Sequence, residues 1–151
     1  MHKYYVINDA VEFHPATSTL SDLNNHDHSV VLNSPAGRCL LLLIERAGTI
    51  VTQQEFIDIV WKERGMLVSP NTYYQNICIL RKGLKRMGFI DDPIVTIPRI
   101  GLTLASNTKI KINENKEILV PAGVNEEAER SEIALVAEAS LFTTVVRASD
   151  P

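Results

Sequence analysis

Between residues 4 and 32, apolar and polar positions alternate in short runs. Tyr4-Tyr5-Val6-Ile7, Val11-Glu12-Phe13, Thr17-Ser18-Thr19-Leu20 and Val30-Val31-Leu32 have strand character. Asn8-Asp9, His14-Pro15 and the polar stretch Asn24-Asn25-His26-Asp27-His28 separate them as turns. The pattern predicts three or four short antiparallel strands. The period then lengthens. Asn33 or Ser34 can cap a helix with Pro35 in its first turn, running through Arg38 to Arg46 and stopping at Gly48. This helix is apolar nearly all round, which predicts a buried central element. Thr49-Ile50-Val51 is short and extended. Thr52 then caps a second helix, with Glu55 three residues on completing a capping box, an apolar face of Phe56, Ile59 and Val60, Trp61 at its end, and Gly65 as its stop. A third helix opens at Ser69-Pro70 and reaches Met87-Gly88. Ile94–Ile97 and Leu102–Leu104 then form a hairpin about Pro98-Arg99-Ile100-Gly101, placed like a wing.

Beyond Ala105 the pattern weakens. Lys109–Ile112 and Ile118–Val120 flank Asn113-Glu114-Asn115 as a weak second hairpin, Pro121 and Gly123 break it, and an acidic Ala/Glu-rich stretch offers a short helix near residues 126–136. The expected organisation is a folded domain over residues 1–105 and an acidic tail or linker over 106–151.

Composition narrows the classes. The formal charge of −3 over 151 residues excludes a uniformly basic coat for nucleic acid, but not a local basic face. Two cysteines, Cys39 and Cys78, are too few for a disulfide scaffold and lack zinc-site spacing. No secretory leader pattern opens the chain, and the apolar stretch 133–146 is broken by Glu138 and shorter than the ~20 residues a membrane span needs. The expectation is a soluble, reduced, cytoplasmic chain.

The charge is unevenly placed. Lys62, Arg64, Arg81, Lys82, Lys85, Arg86 and Arg99 face only Glu63, Asp91 and Asp92 over residues 62–99, while much of the acid lies in the tail. On a wheel of about 100° per residue, Tyr73, Ile77, Leu80 and Leu84 of the third helix form one apolar stripe. Gln75, Cys78, Ile79, Lys82, Lys85 and Arg86 lie opposite, with Thr72 and Asn76 on one flank and Arg81 on the other. That mixture suits a duplex: cations for phosphates, amides for base edges, apolar groups for thymine methyls. A basic helix face is also commonly no more than a solvated surface.

Three helices, the third basic and amphipathic, followed by a hairpin with Arg99 at its turn, follow the winged helix-turn-helix order. The order Val30-x-Leu32, Gly48-Thr49-Ile50-Val51, Val60-Trp61, Val68-Ser69-x-Asn71-Thr72, Ile77-x-x-Leu80-Arg81-Lys82-x-Leu84 and Ile94-x-Thr96-Ile97-x-x-x-Gly101 resembles the OmpR/PhoB-type winged-helix domain. Ala36–Leu43 and Asn71–Arg81 are especially similar to the CadC/ToxR-like regulators of enteric bacteria. The likeness covers about residues 3 to 105. It implies an α+β fold: an N-terminal antiparallel sheet, three helices and a C-terminal β-hairpin wing. It further implies a transcriptional regulator whose third helix enters the major groove and whose wing reaches the minor groove. By position it gives Thr72, Gln75, Asn76 and Ile79 as base-facing, and Arg81 and Lys82 as phosphate contacts with Arg99 on the wing. Lys85 and Arg86 join the phosphate set from their side of the helix. The expected partner is double-stranded DNA, with RNA polymerase and a second copy on DNA as further candidates; no cofactor is implied.

The chain departs from the family at several places. Cys78 and Ile79 stand where cations are frequent, so the base preference should differ. Pro98 stands where the wing is often basic, leaving Arg99 as its cation. Nothing like a receiver domain precedes the helices, so a phosphorylatable Asp is not expected. The sequence reads as a naturally soluble member, or as the cytoplasmic part of a membrane-anchored regulator.

Rival classes find little support. No nucleophile elbow, P-loop or dinucleotide glycine pattern is present, so an enzyme is not expected. His26-Asp27-His28 has the residue types of a metal site or pH switch but reads first as a polar turn. Cys39, among leucines, reads as core; Cys78 as a small filler on the exposed helix side, with a redox-sensitive spot as the alternative. Trp61 reads as a plug between helices. A winged helix that has lost DNA binding and serves as a protein–protein adaptor remains the alternative function.

Overall fold

The alternating N-terminal runs become an antiparallel meander. β1 (His2–Ile7), β2 (Val11–His14), β3 (Thr19–Asp22) and β4 (Asn25–Val31) pair in succession, Tyr5 opposite Phe13 and Phe13 opposite Leu20. The structure, a computed structural model, describes residues 2–115. The β1–β2 turn uses Asn8 and Asp9 in the left-handed region (φ 54° and 55°), which short polar side chains tolerate. Asn25–His28, expected as part of a turn, instead begins β4. The ladder there absorbs a register shift at Ser21/Asp22, so four polar residues extend the strand without facing the core.

α1 (Ser34–Glu45) starts as its sequence dictates, with the Asn33 side chain accepting from the Ala36 N–H at 2.8 Å. Ala36, Cys39, Leu40, Leu42, Leu43 and Ile44 are all buried, so more than one side of the helix is covered. Thr52 caps α2 (Gln53–Phe56), and the reciprocal Glu55 bond completes the capping box. The α geometry lasts one turn. It passes into a π-helical turn at Ile57–Trp61 and a 3₁₀ turn at Lys62–Arg64, and Gly65 ends the run at φ 79°. The wider turn shifts the helical phase, and the consecutive Val60 and Trp61 are both buried.

α3 (Pro70–Arg86) packs its predicted stripe, Tyr73, Ile77, Leu80 and Leu84, into one core with Tyr5, Phe13 and Leu20 of the sheet and Leu40 and Leu43 of α1. β5 (Val51–Thr52), β6 (Ile94–Ile97) and β7 (Gly101–Leu104) form a second sheet in the order β5-β7-β6. A side chain at Gly101 would run into the Val51 carbonyl, so the wing joins β5 only because that position carries none.

The last described strand corrects an expectation. β8 (Ile110–Asn115) falls in the stretch expected as tail, and its described partner is β1. It pairs with β1 from His2–Asn115 to Ile7–Ile110, giving the first sheet the order β4-β3-β2-β1-β8. The compact unit therefore spans His2–Asn115, and its final strand comes from the stretch expected to be tail. The expected strand at 118–120 and helix at 126–136 lie outside the described residues. Among the described residues, no helix is long and apolar enough to cross a membrane.

Candidate nucleic-acid interface

Burial of the α3 stripe fixes what the helix shows outside. Gln75, Cys78, Ile79, Lys82, Lys85 and Arg86 are exposed, and Thr72 is half-buried. Gln75, Ile79, Lys82 and Arg86 follow one another at helical spacing, so amide, apolar and cationic groups share one side. Among the described residues, Lys82, Lys85, Arg86 and Arg99 have no carboxylate within ion-pair distance. Arg99 stands at the wing tip with φ 68°, held by a turn in which the Ile100 N–H donates to the Ile97 carbonyl.

Two residues expected at the duplex, Asn76 and Arg81, have partners within the protein. Asn76 is buried at 7% exposure. Its Nδ2 donates to the Thr72 carbonyl at 2.9 Å, and its buried Oδ1 has no hydrogen-bond partner among the described residues. Asn76 is thus held inside its own helix, not presented at the surface. Arg81 is turned to the wing: it pairs with Asp92, donates to the Ile94 carbonyl at 3.1 Å and donates to Thr96 Oγ1 at 2.8 Å. These bonds fasten α3 to β6, and an arginine so occupied is a brace between elements.

Sequence reasoning passed over Tyr74 and Gln53. Tyr74 is 58% exposed on α3, and its hydroxyl donates to Gln53 Oε1, at the start of α2, at 2.9 Å. Twenty-one positions separate the two, and neither breaks a local pattern, so only the packing of α2 on α3 brings them together. Between α3 and the wing runs a cleft of about 380 Å³, lined by Tyr74, Gln53, Thr96, Arg99 and their neighbours.

The remaining candidates resolve into structure. Cys39 is fully buried and burial pushes its thiol up to about 12, whereas Cys78 is exposed. Burial likewise raises the Tyr73 hydroxyl to about 12. Backbone donation from Thr52, then the Arg46 side chain, holds the Glu55 carboxyl below its ordinary range. His26 lies 3.3 Å from Glu12, which also meets His14 at 3.0 Å, and His28 lies 3.7 Å from Asp22. Among the described residues, no group of three or more His, Cys, Asp or Glu side chains is placed to hold a metal ion.

Comparison with known proteins adds a second line. Residues 27–104 match the family described as transcriptional regulatory protein, C terminal. A protein of Escherichia coli described as uncharacterized protein YqeI is 42% identical over 109 residues, 72% of this chain and 40% of that one. The cholera toxin homolog transcriptional activator of Vibrio parahaemolyticus is 31% identical over 137 residues, 87% of this chain and 47% of its own. The chain thus spans less than half the length of these relatives. Among solved structures, the DNA-binding domain of Escherichia coli CadC superposes with a TM-score of 0.57 at 24% identity, covering 69% of this chain and 94% of that one. The C-terminal domain of the nisin resistance regulator NsrR superposes at 0.52 with 23% identity, covering 63% and 91%. The two superpositions show a shared winged-helix fold.

Proposed function

From the premise that this chain belongs to the family of C-terminal domains of transcriptional regulatory proteins, of the OmpR/PhoB type, we propose that it regulates transcription by binding specific duplex DNA sequences. The family is one of DNA-binding regulators, not of enzymes. The observation that carries the reading is the exposed side of α3, where Gln75 and Ile79 stand beside the cations Lys82, Lys85 and Arg86, none of which has a carboxylate partner among the described residues. In this reading α3 enters the major groove. Gln75 pairs with an adenine edge, Ile79 packs on a thymine methyl, and the Thr72 hydroxyl reaches the same rim. The cations, with Arg99 of the wing at the adjacent minor groove, meet phosphates and set the register. The reading places the protein in the cytoplasm, with RNA polymerase and a second copy on a repeated operator as further partners.

Selection of bound duplexes from a random pool, followed by salt titration of the best binder, tests it. The expected result is a defined preferred site whose affinity falls steeply with salt, because bound cations displace condensed counterions. A chain that enriches no sequence and shows no salt dependence would leave the adaptor alternative standing.

A further inference from the structure

We propose that the Gln53 amide, held in place by Tyr74, donates to a DNA phosphate that enters the cleft between α3 and the β6–β7 wing. The inference rests on the DNA reading above and deepens it. A helix in the major groove and a hairpin in the neighbouring minor groove must straddle one backbone strand, since one strand is all that divides adjacent grooves. In this molecule the space between those two elements is the cleft of about 380 Å³.

Its lining joins an apolar wall of Ile77, Ile97, Ile100 and Leu102, which a sugar ring can meet, to a few polar groups that a phosphate can meet. Among the described residues no carboxylate lines it, and the guanidinium of Arg81, which does, is paired with Asp92. Tyr74 donates to Gln53 Oε1, which fixes the amide plane. Among the described residues no protein acceptor takes the two hydrogens of Gln53 Nε2. Thr96 Oγ1 already accepts from Arg81, so its own O–H remains to be donated. Arg99 adds the charge from the wing tip. Donors from α2, β6 and the wing turn thus converge on one space. Gln53 would touch phosphate; Tyr74 is a positioning residue that acts through it. Since phosphate carries no base identity, the seat contributes affinity without sequence preference.

The full chain is titrated with its selected duplex and with an unrelated duplex, at several salt concentrations. Gln53→Glu keeps an acceptor for Tyr74 but replaces the donor by an anion. It is expected to weaken both duplexes roughly tenfold, the scale of a hydrogen bond to a charged group, with the thermal midpoint and the preferred site unchanged. Tyr74→Phe is expected to weaken both to a smaller extent, and to add nothing in a Gln53→Ala background. A Gln53→Glu variant that binds like the parent overturns the seat and leaves the DNA reading intact. So does a Tyr74→Phe loss that follows a fall in thermal midpoint, because the pair would then be a clip between helices. A parent chain without salt-dependent duplex binding overturns the DNA reading itself.

Discussion

Arg81 and Lys82 are neighbours in sequence with different surroundings. Arg81 spends its guanidinium on Asp92, the Ile94 carbonyl and Thr96, whereas Lys82 faces solvent. Arg81→Ala is therefore expected to cost about 1–3 kcal/mol in chemical denaturation, the range for orphaned partners of a charged hydrogen-bonding group. Because the change also frees Asp92 beside the cleft, duplex affinity should fall with it, read by titration at low salt. Lys82→Ala should leave stability within about 0.5 kcal/mol and lower the salt slope by about one unit. The wheel could not separate these roles, because Arg81 is assigned by Asp92 and Thr96, eleven and fifteen positions away. Asn76 gives the same lesson: its type suits a base edge, but its side chain is buried and bonded to the Thr72 carbonyl. The preferred site of an Asn76→Ala variant, selected from the same random pool, should match the parent's at every base pair.

At the scale of elements, what is local was legible and what is long-range was not. The α3 stripe, the Asn33 cap, the Thr52–Glu55 box and the wing turn each depend on residues within a few positions of one another, and the structure contains all four. The π turn was not legible, since it reflects how Val60 and Trp61 must both reach the core. Nor was the placement of β8, whose partner lies at the other end of the unit. The box makes a pH prediction. Hydrogen bonds hold the folded Glu55 carboxyl below its ordinary value of 4.5. Its contribution is thus present above that value and is lost as pH falls through the lower folded one. The gap in unfolding midpoint between parent and Glu55→Gln should be open at neutral pH and close in acid. On the reading side of α3, Gln75→Ala and Ile79→Ala should each alter discrimination by ~1–3 kcal/mol at particular base pairs, read by competition among single-substitution duplexes.

For the molecule as a whole, β8 decides where the chain can be cut. Removal of everything after Asn107 strips the β1 edge of its partner and uncovers half-buried Ile110's site. The loss should be on the order of 2–4 kcal/mol, a few ladder hydrogen bonds at about 1 kcal/mol each plus apolar exposure. A chain cut after Asn115 keeps every described strand and should unfold in one cooperative step with the parent's midpoint. It also sheds acids from Glu117 to Asp150, so its duplex affinity should equal or exceed the parent's at low salt, with the difference shrinking as salt screens it. The same strand has a mechanical meaning. β1 and β8 run antiparallel, with His2 directly opposite Asn115. Force applied between those two residues therefore pulls on one end of the ladder, opening its rungs in turn like a zipper instead of shearing them together.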